Sequence, residues 1–205
     1  MGDLRAARDR PSERQAVHRL PQTAEASDDH PQDAEAEARA GAGVSVRPIL
    51  RWPDPRLAQV CAPLGDASAE ALVADLFDTM YAAPGRGLAA PQIGVLARVF
   101  VMDCGWKEGA KTPRACIDPE IVWTSDEVAV TGEGCLSIPG VTAEVTRPAA
   151  ITLRYRTQTG KTVEERLTGF EAICAEHEFD HLNGIVTFDR LTPKARAAAE
   201  AAYAP

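Results

Sequence analysis

The 205-residue chain contains no run of about 18 apolar residues, so no helix is expected to cross a membrane. Positive charge is in deficit, with 22 Lys and Arg against 30 Asp and Glu and a net charge of −8. That balance argues against broad electrostatic binding to DNA, RNA or an anionic membrane, while leaving room for a small local basic patch. A secretory signal is also missing, because charged residues interrupt positions 2–15 where an apolar core would be needed. Cysteine is scarce and scattered, at Cys61, Cys104, Cys116, Cys135 and Cys174. An odd number without a spacing pattern suits a reducing cytosol, where a cysteine is buried, catalytic or metal-bound more often than bridged. The chain shows no internal repeat.

Residues 1–45 lack aromatics and any sustained apolar period, and are dominated by Ala, Arg, Asp, Glu, Gln and Pro. Such a composition buries too little surface to offset ordering entropy, so a disordered tail is expected there. Arg-containing amino-terminal segments also serve as organelle import signals. Those are poor in acids, however, and Asp3, Asp9 and Glu13 favour a cytoplasmic protein, with import as the minor alternative.

Residues 46–205 read as one globular domain of ordinary size. Across the chain 45% apolar residues suffice for a core, and 25% charged is average. The spacing of Leu72, Val73, Leu76, Phe77, Met80 and Tyr81 predicts a helix over Ser68–Ala82, stopped by Pro84-Gly85. Arg98–Asp103 reads as a buried strand and Glu127–Thr131 as an alternating one. Ile151–Thr157 and Thr162–Leu167 read as a hairpin turning at Gln158-Thr159-Gly160. A second helix is expected over Phe170–Leu182, with capping-box spacing at Thr168 and Glu171 and a C-cap at Asn183-Gly184. A short last helix should begin at Thr192-Pro193. Strands cluster between helices without strict βαβ alternation. The fold class is therefore α+β, with small antiparallel or mixed β-sheets packed around a central helix, one helix before it and a short one after.

The central helix carries H-E-x-x-H, as His177-Glu178-Phe179-Asp180-His181. Residues four apart lie one above the other, so both imidazoles can meet one ion, and Glu178 stands beside them to accept a proton from water. Phe170, Ile173, Cys174, His177 and His181 follow one helical stripe, which makes the histidines a continuation of the buried face. The competing account is a pair of core histidines bonded to backbone. A catalytic site wants a third protein ligand. Downstream only Asp189 and Glu200 offer themselves; upstream Cys135 follows Gly134 outside the strongest strand patterns. A third segment, Gly85-Arg86-Gly87-Leu88-Ala89-Ala90-Pro91-Gln92, permits close approach of backbone to a ligand, and Gln92 brings an amide able to donate to an oxyanion. It lacks the lysine-hydroxyl pair of a phosphate loop, which leaves a tight turn with a packed Ala pair as its plain reading.

Together and in this order the three segments resemble the peptide deformylase family, marked by G-x-G-x-A-A-x-Q, E-G-C-x-S and H-E-x-D-H. Here these stand as Gly85 to Gln92, Glu133 to Ser137 and His177 to His181, within a similarity running from Ile49 to Pro193. The resemblance implies removal of the N-formyl group from the first methionine of new polypeptides, with release of formate. It implies Cys135, His177 and His181 as metal ligands and Glu178 as the acid-base residue. Gln92 and the backbone N–H of Leu136 would face the carbonyl oxygen, while Gly85, Arg86, Gly87 and Gly134 would flank the substrate strand-fashion. The implied ion is Fe²⁺, replaceable by Zn²⁺, Ni²⁺ or Co²⁺. The implied partners are N-formylmethionyl nascent peptides and, transiently, the ribosome. Glu176 stands where the family commonly has glutamine, and Arg86 where an aliphatic residue is frequent. Around the site, Glu133 and Arg147 are expected to pair and Asp180 to orient a neighbour. Two other readings stand beside this one: an H-E-x-x-H metallopeptidase, and a non-catalytic ribosome-associated module, whose long basic C-terminal helix Lys194-Ala195-Arg196 only faintly suggests.

Overall fold

The structure is a computed structural model and describes residues 45–203; the expected tail before them lies outside the described residues. Helix α1 spans Glu70–Ala82. Strands β1 (Gly87–Ala89), β2 (Val99–Met102) and β3 (Arg114–Thr124) follow, then β4 (Val128–Cys135), β5 (Ile138–Pro148), β6 (Ala150–Arg156) and β7 (Thr162–Thr168). The chain ends in helices α2 (Gly169–Leu182) and α3 (Pro193–Ala202). One sheet has the order β1-β2-β3-β6-β7, and β4 and β5 form a separate two-stranded sheet. Among the described residues every ladder is antiparallel, and the one parallel pairing is an isolated bridge between Ala62 and Ala97.

The large sheet lies between α1 and α2, and β2 shows why its sequence is apolar throughout instead of alternating. Val99 and Val101 point toward α1, packing with Val73, Leu76 and Met80. Phe100 and Met102 point the other way, into a cluster with Leu153, Ala172 and Ala175. A strand covered on both faces has no polar face to present. Each of these fully buried side chains contributes about 1.5–3 kcal/mol relative to exposure. A third cluster joins Leu57, Ile138, Phe188 and Tyr203 behind the β4–β5 hairpin and ties it to the carboxyl end.

The sequence expectations need four corrections. The capping box at the start of α2 does not form: Thr168 makes no side-chain cap bond, and Glu171 instead accepts from Arg114 Nη1 at 2.8 Å. Phe170 is 54% exposed although its spacing puts it on the stripe, because the first turn of that stripe faces an open cleft and not the core. Cys135 is the last residue of β4, and the glycine-rich segment is partly strand β1 followed by a short 3-10 turn, Ala90–Ile93. Strand β5 has no counterpart among the expectations, and neither does β3. The β3 register shifts between Ile117 and Glu120, around the Asp118-Pro119 dipeptide, and that break hides the period-two pattern. Helix α2 does end at the expected C-cap, Asn183, followed by Gly184 at φ +71. A Cβ there would lie 2.7 Å from Ala58 O. No helix among the described residues is long and apolar enough to cross a membrane.

Candidate metal centre

Two sheet edges and one helix meet at a cleft of about 510 Å³. Strand β1 is the terminal strand of the large sheet, and β4 pairs only with β5, so each presents an unpaired edge. Helix α2 supplies the floor, with Phe170, Ile173, Cys174, His177 and Glu178 lining it. Gly85, Arg86, Gly87, Gln92, Gly134, Cys135 and Leu136 line the walls; His181, 1% exposed, lies behind them.

The ligand atoms of Cys135, His177 and His181 all lie within 4.8 Å of one another, and the three residues are buried. Sγ of Cys135 is 3.3 Å from Nε2 of His181. Two imidazole nitrogens and a sulfur around one ion would stand about 3.5 Å apart, given usual metal–ligand bond lengths and tetrahedral angles. Nδ1 of His177 is engaged with Glu133 Oε2 at 2.9 Å, which fixes the ring and leaves Nε2 for an ion. Burial opposes thiolate formation at Cys135, but His181 and His177 outweigh it and hold the thiol well below its ordinary range. For the histidine the balance runs the other way: burial favours neutral His177, while Cys135 and Glu133 push it well up. A thiolate and two imidazoles, the His177 ring held by Glu133, are the donor chemistry of a divalent transition metal, so these residues fit one. Asp189 and Glu200, the downstream alternatives, are both bound to Arg196, and neither lines the cleft.

Glu133 is held in turn by Arg147, whose Nε and Nη2 donate to its two oxygens at 2.5 and 2.9 Å. Burial would raise the Glu133 carboxyl, but hydrogen bonds from His177 and Arg147 keep it below the ordinary value. Arg147 Nη1 also reaches Asp180 Oδ2 at 2.9 Å, and Arg190 covers the other side of that carboxylate. The pairing read from the sequence is thus present as part of a longer chain, His177–Glu133–Arg147–Asp180, buried up to Asp180 and closed at the surface by the exposed Arg190.

Glu178 is 4% exposed, and its Oε2 has no hydrogen-bond partner. Burial pushes its carboxyl up to about 7, with His177 and His181 opposing; a nearby cation would draw it down again. Gly87 presses on it so closely that a Cβ there would lie 2.8 Å from Glu178 Cδ, where side chains do not fit. Any larger residue at this point of β1 would displace the Glu178 carboxylate. Gly134, by contrast, has open space where its Cβ would be.

Gln92 is oriented by its backbone neighbour: Oε1 accepts from Ala89 N at 2.8 Å, which turns Nε2 toward the cleft. Nε2 donates to Ser137 Oγ at 3.1 Å and faces Cys135 Sγ at 3.7 Å. Leu136 and Ser137 form the two-residue turn between β4 and β5, closed by the Cys135–Ile138 pair. The segment before Pro53 straps this region from behind. Leu50 N donates to Gln92 O at 2.8 Å, Trp52 N to Ser137 O at 3.0 Å, and Arg51 Nη1 to Leu136 O. Ser137 belongs to a motif quoted from the sequence, but its role as the Gln92 partner was not legible there. Arg51 left no local signal.

Arg86 sits on the rim with its guanidinium on Glu108 at 2.7 and 2.5 Å and on the carbonyl of Cys104, 5.4 Å from the Phe170 ring centre. Glu176, the other departure, is 7% exposed with Oε2 unpartnered, and burial pushes its carboxyl up to about 7.

The fold and this donor set define a class: an α+β metalloenzyme whose ligand helix also carries a buried carboxylate. Within that class the match is specific. The family model for polypeptide deformylase matches residues 46–197. A peptide deformylase of Phenylobacterium zucineum is 48% identical over 151 residues, covering 73% of this chain and 89% of that protein. One from Rhizobium meliloti is 44% identical, covering 73% and 87%. The crystal structure of a Legionella pneumophila peptide deformylase superposes with a TM-score of 0.71 at 40% identity, over 76% of this chain and 92% of that one. That of Ehrlichia chaffeensis in complex with actinonin gives 0.71 at 38%, over 76% and 94%. The chain belongs to the polypeptide deformylase family.

Proposed function

We propose that the chain removes the N-formyl group from the amino-terminal methionine of newly made polypeptides, and that Cys135, His177 and His181 hold its one metal ion, Fe²⁺ in the cell. Thiolate and imidazole accept Zn²⁺, Ni²⁺ and Co²⁺ as well, so those ions serve in preparations. The observation that carries the reading is the packing of the Glu178 carboxylate against Gly87, at the inner end of an unpaired strand edge and beside three convergent metal donors.

When bound, the ion supplies Lewis acidity and lowers the pKa of the attacking water. Glu178 takes the proton released as water adds to the formyl carbon, and returns it to the leaving amine, giving formate and a free N-terminus. Gln92 Nε2 and the Leu136 N–H donate to the developing oxyanion; the amide hydrogen now directed at Cys135 Sγ is the one free to turn. Losing one such donor typically costs about 3 kcal/mol of barrier. The edges of β1 and β4 receive the peptide as an added strand, with Gly85, Arg86, Gly87 and Gly134 along its path. The enzyme works in the cytoplasm on nascent chains, in transient contact with the ribosome.

The test is formate release from a formyl-Met peptide, with metal analysis of the same sample. Cleavage of internal peptide bonds in an unformylated peptide, without formate release, would replace this reading with a peptidase. Absence of both activities in metal-loaded protein would favour a binding module.

A further inference from the structure

One charge at the cleft mouth is in no ion pair among the described residues, although the adjacent Glu108 feels it. Apart from histidine and cysteine, the ionisable side chains lining the cleft are Arg86, Lys107, Glu133 and Glu178. Arg86 is matched by Glu108, Glu133 is matched by Arg147, and Glu178 stands at the reacting end. Lys107 is exposed and forms no ion pair with any carboxylate among the described residues. Its Nζ lies 5.7 Å from the Trp106 ring centre.

The segment that bears Lys107 is pinned to the substrate edge. Trp106 Nε1 donates to Gly85 O at 2.7 Å, and Asp103 N donates to Arg86 O at 2.8 Å. Thr112 N closes the segment on Asp103 Oδ1 at 3.0 Å. Lys107 is therefore held at one place on the rim, with only its own side chain free to swing. Gly87 marks the reacting end, against Glu178; Gly85 lies two residues outward, and Trp106-Lys107 stands beside it. An extended chain advances about 3.3 Å per residue. A peptide lying along this edge with its formyl group at Glu178 brings its next two side chains level with the lysine.

Resting on the deformylase reading above, we propose that Lys107 is a specificity residue that favours formylated peptides with a carboxylate side chain at residue 2 or 3, counting formyl-methionine as 1. Charged pairs at a wet rim are worth little individually and are screened by salt. The preference for an acidic over a basic side chain should therefore be about three- to five-fold in kcat/KM at low salt, expressed mainly in KM.

The experiment compares formyl-Met-Ala-Glu-Ala, formyl-Met-Ala-Gln-Ala and formyl-Met-Ala-Lys-Ala, and the matching set varied at residue 2, by formate release from the metal-loaded full chain. The readout is the Glu-to-Lys ratio of kcat/KM within each enzyme, which does not depend on how much active protein each variant yields. Wild type should show a ratio above one that shrinks at about 0.5 M salt. Lys107→Met should bring it close to one, and Lys107→Glu should invert it. Lys161→Glu makes the same change of net charge outside the cleft and should leave the ratio as in wild type. A ratio that Lys107→Glu does not move, or that Lys161→Glu moves as much, overturns the assignment while the deformylase reading stands. No formate from the Gln peptides in wild type overturns both.

Discussion

Replacing Arg147 by methionine keeps the length of the side chain and removes the charge that separates two buried carboxylates. Its side chain is 4% exposed, as is that of Glu133, and Asp180 is 7% exposed. Removing one partner of a buried pair typically costs about 3–5 kcal/mol, because the survivor is left charged in a poor solvent. The two survivors here are not equally stranded. Asp180 keeps Arg190, whose Nε donates to it at 2.8 Å, while Glu133 keeps only His177 Nδ1. The lower end of the range, about 3 kcal/mol, therefore applies, and for a domain of this size it corresponds to a fall in Tm of roughly 6–12 °C. A second effect should accompany the first. Glu133 fixes the ring of His177, and disturbing a carboxylate that orients a ligand histidine typically lowers metal affinity about 10- to 100-fold. Thermal melts of the chelated protein isolate the stability loss, and competition with a chromophoric chelator gives the affinity. A Tm change under 2 °C together with unchanged affinity would refute the reasoning, since it would mean that Glu133 and Asp180 are solvated without Arg147.

Glu178→Ala should retain bound metal and lose at least about 10²-fold in kcat, the usual worth of positioned acid-base help; near-normal turnover by metal-loaded protein would remove Glu178 from its role. Gly87→Ala drives a methyl group into Glu178 and should lower kcat/KM by about 10²-fold, the scale expected for a misplaced catalytic group, with metal content unchanged. Glu176→Gln replaces a buried carboxyl that has an unpartnered oxygen with a neutral group of the same shape, and should raise Tm by about 2–4 °C in a melt near neutral pH. Exposure of the iron-loaded enzyme to peroxide should destroy activity with oxygen added at Cys135, read by mass spectrometry, and the nickel form should survive. If oxygen lands on Cys61, Cys104, Cys116 or Cys174 while activity dies, Cys135 is not the ligand.

The legible parts of the fold and the illegible ones divide by the distance over which their causes act. Helix α1, strand β2 and the β6–β7 hairpin were readable because a short window contains their pattern: a 3.6-residue stripe, a wholly apolar run, an alternation broken by Gln158-Thr159-Gly160. Strand β3 was not, because Asp118 and Pro119 interrupt its period, and its partners on β2 and β6 lie outside any short window. The candidate site divides in the same way. His177 and His181 stand one helical turn apart, so their convergence follows from local geometry alone. Cys135 meets them only through the tertiary fold, and the residues alone preferred it to Asp189 and Glu200 on a weak signal; the family resemblance singled it out, and the 3.3 Å approach of its sulfur to His181 separates it from them in space. Phe170 shows the opposite failure. The periodicity that buries Cys174 one turn further along the helix assigns Phe170 to the same face, correctly, but a stripe says nothing about what lies opposite it. For Cys174 that is packed core as well as cleft, and for Phe170 it is open cleft bordered by Arg86. An exposed aromatic on an otherwise buried stripe is therefore itself a pointer to a cavity, since a helix face loses its cover where the molecule has to admit something else.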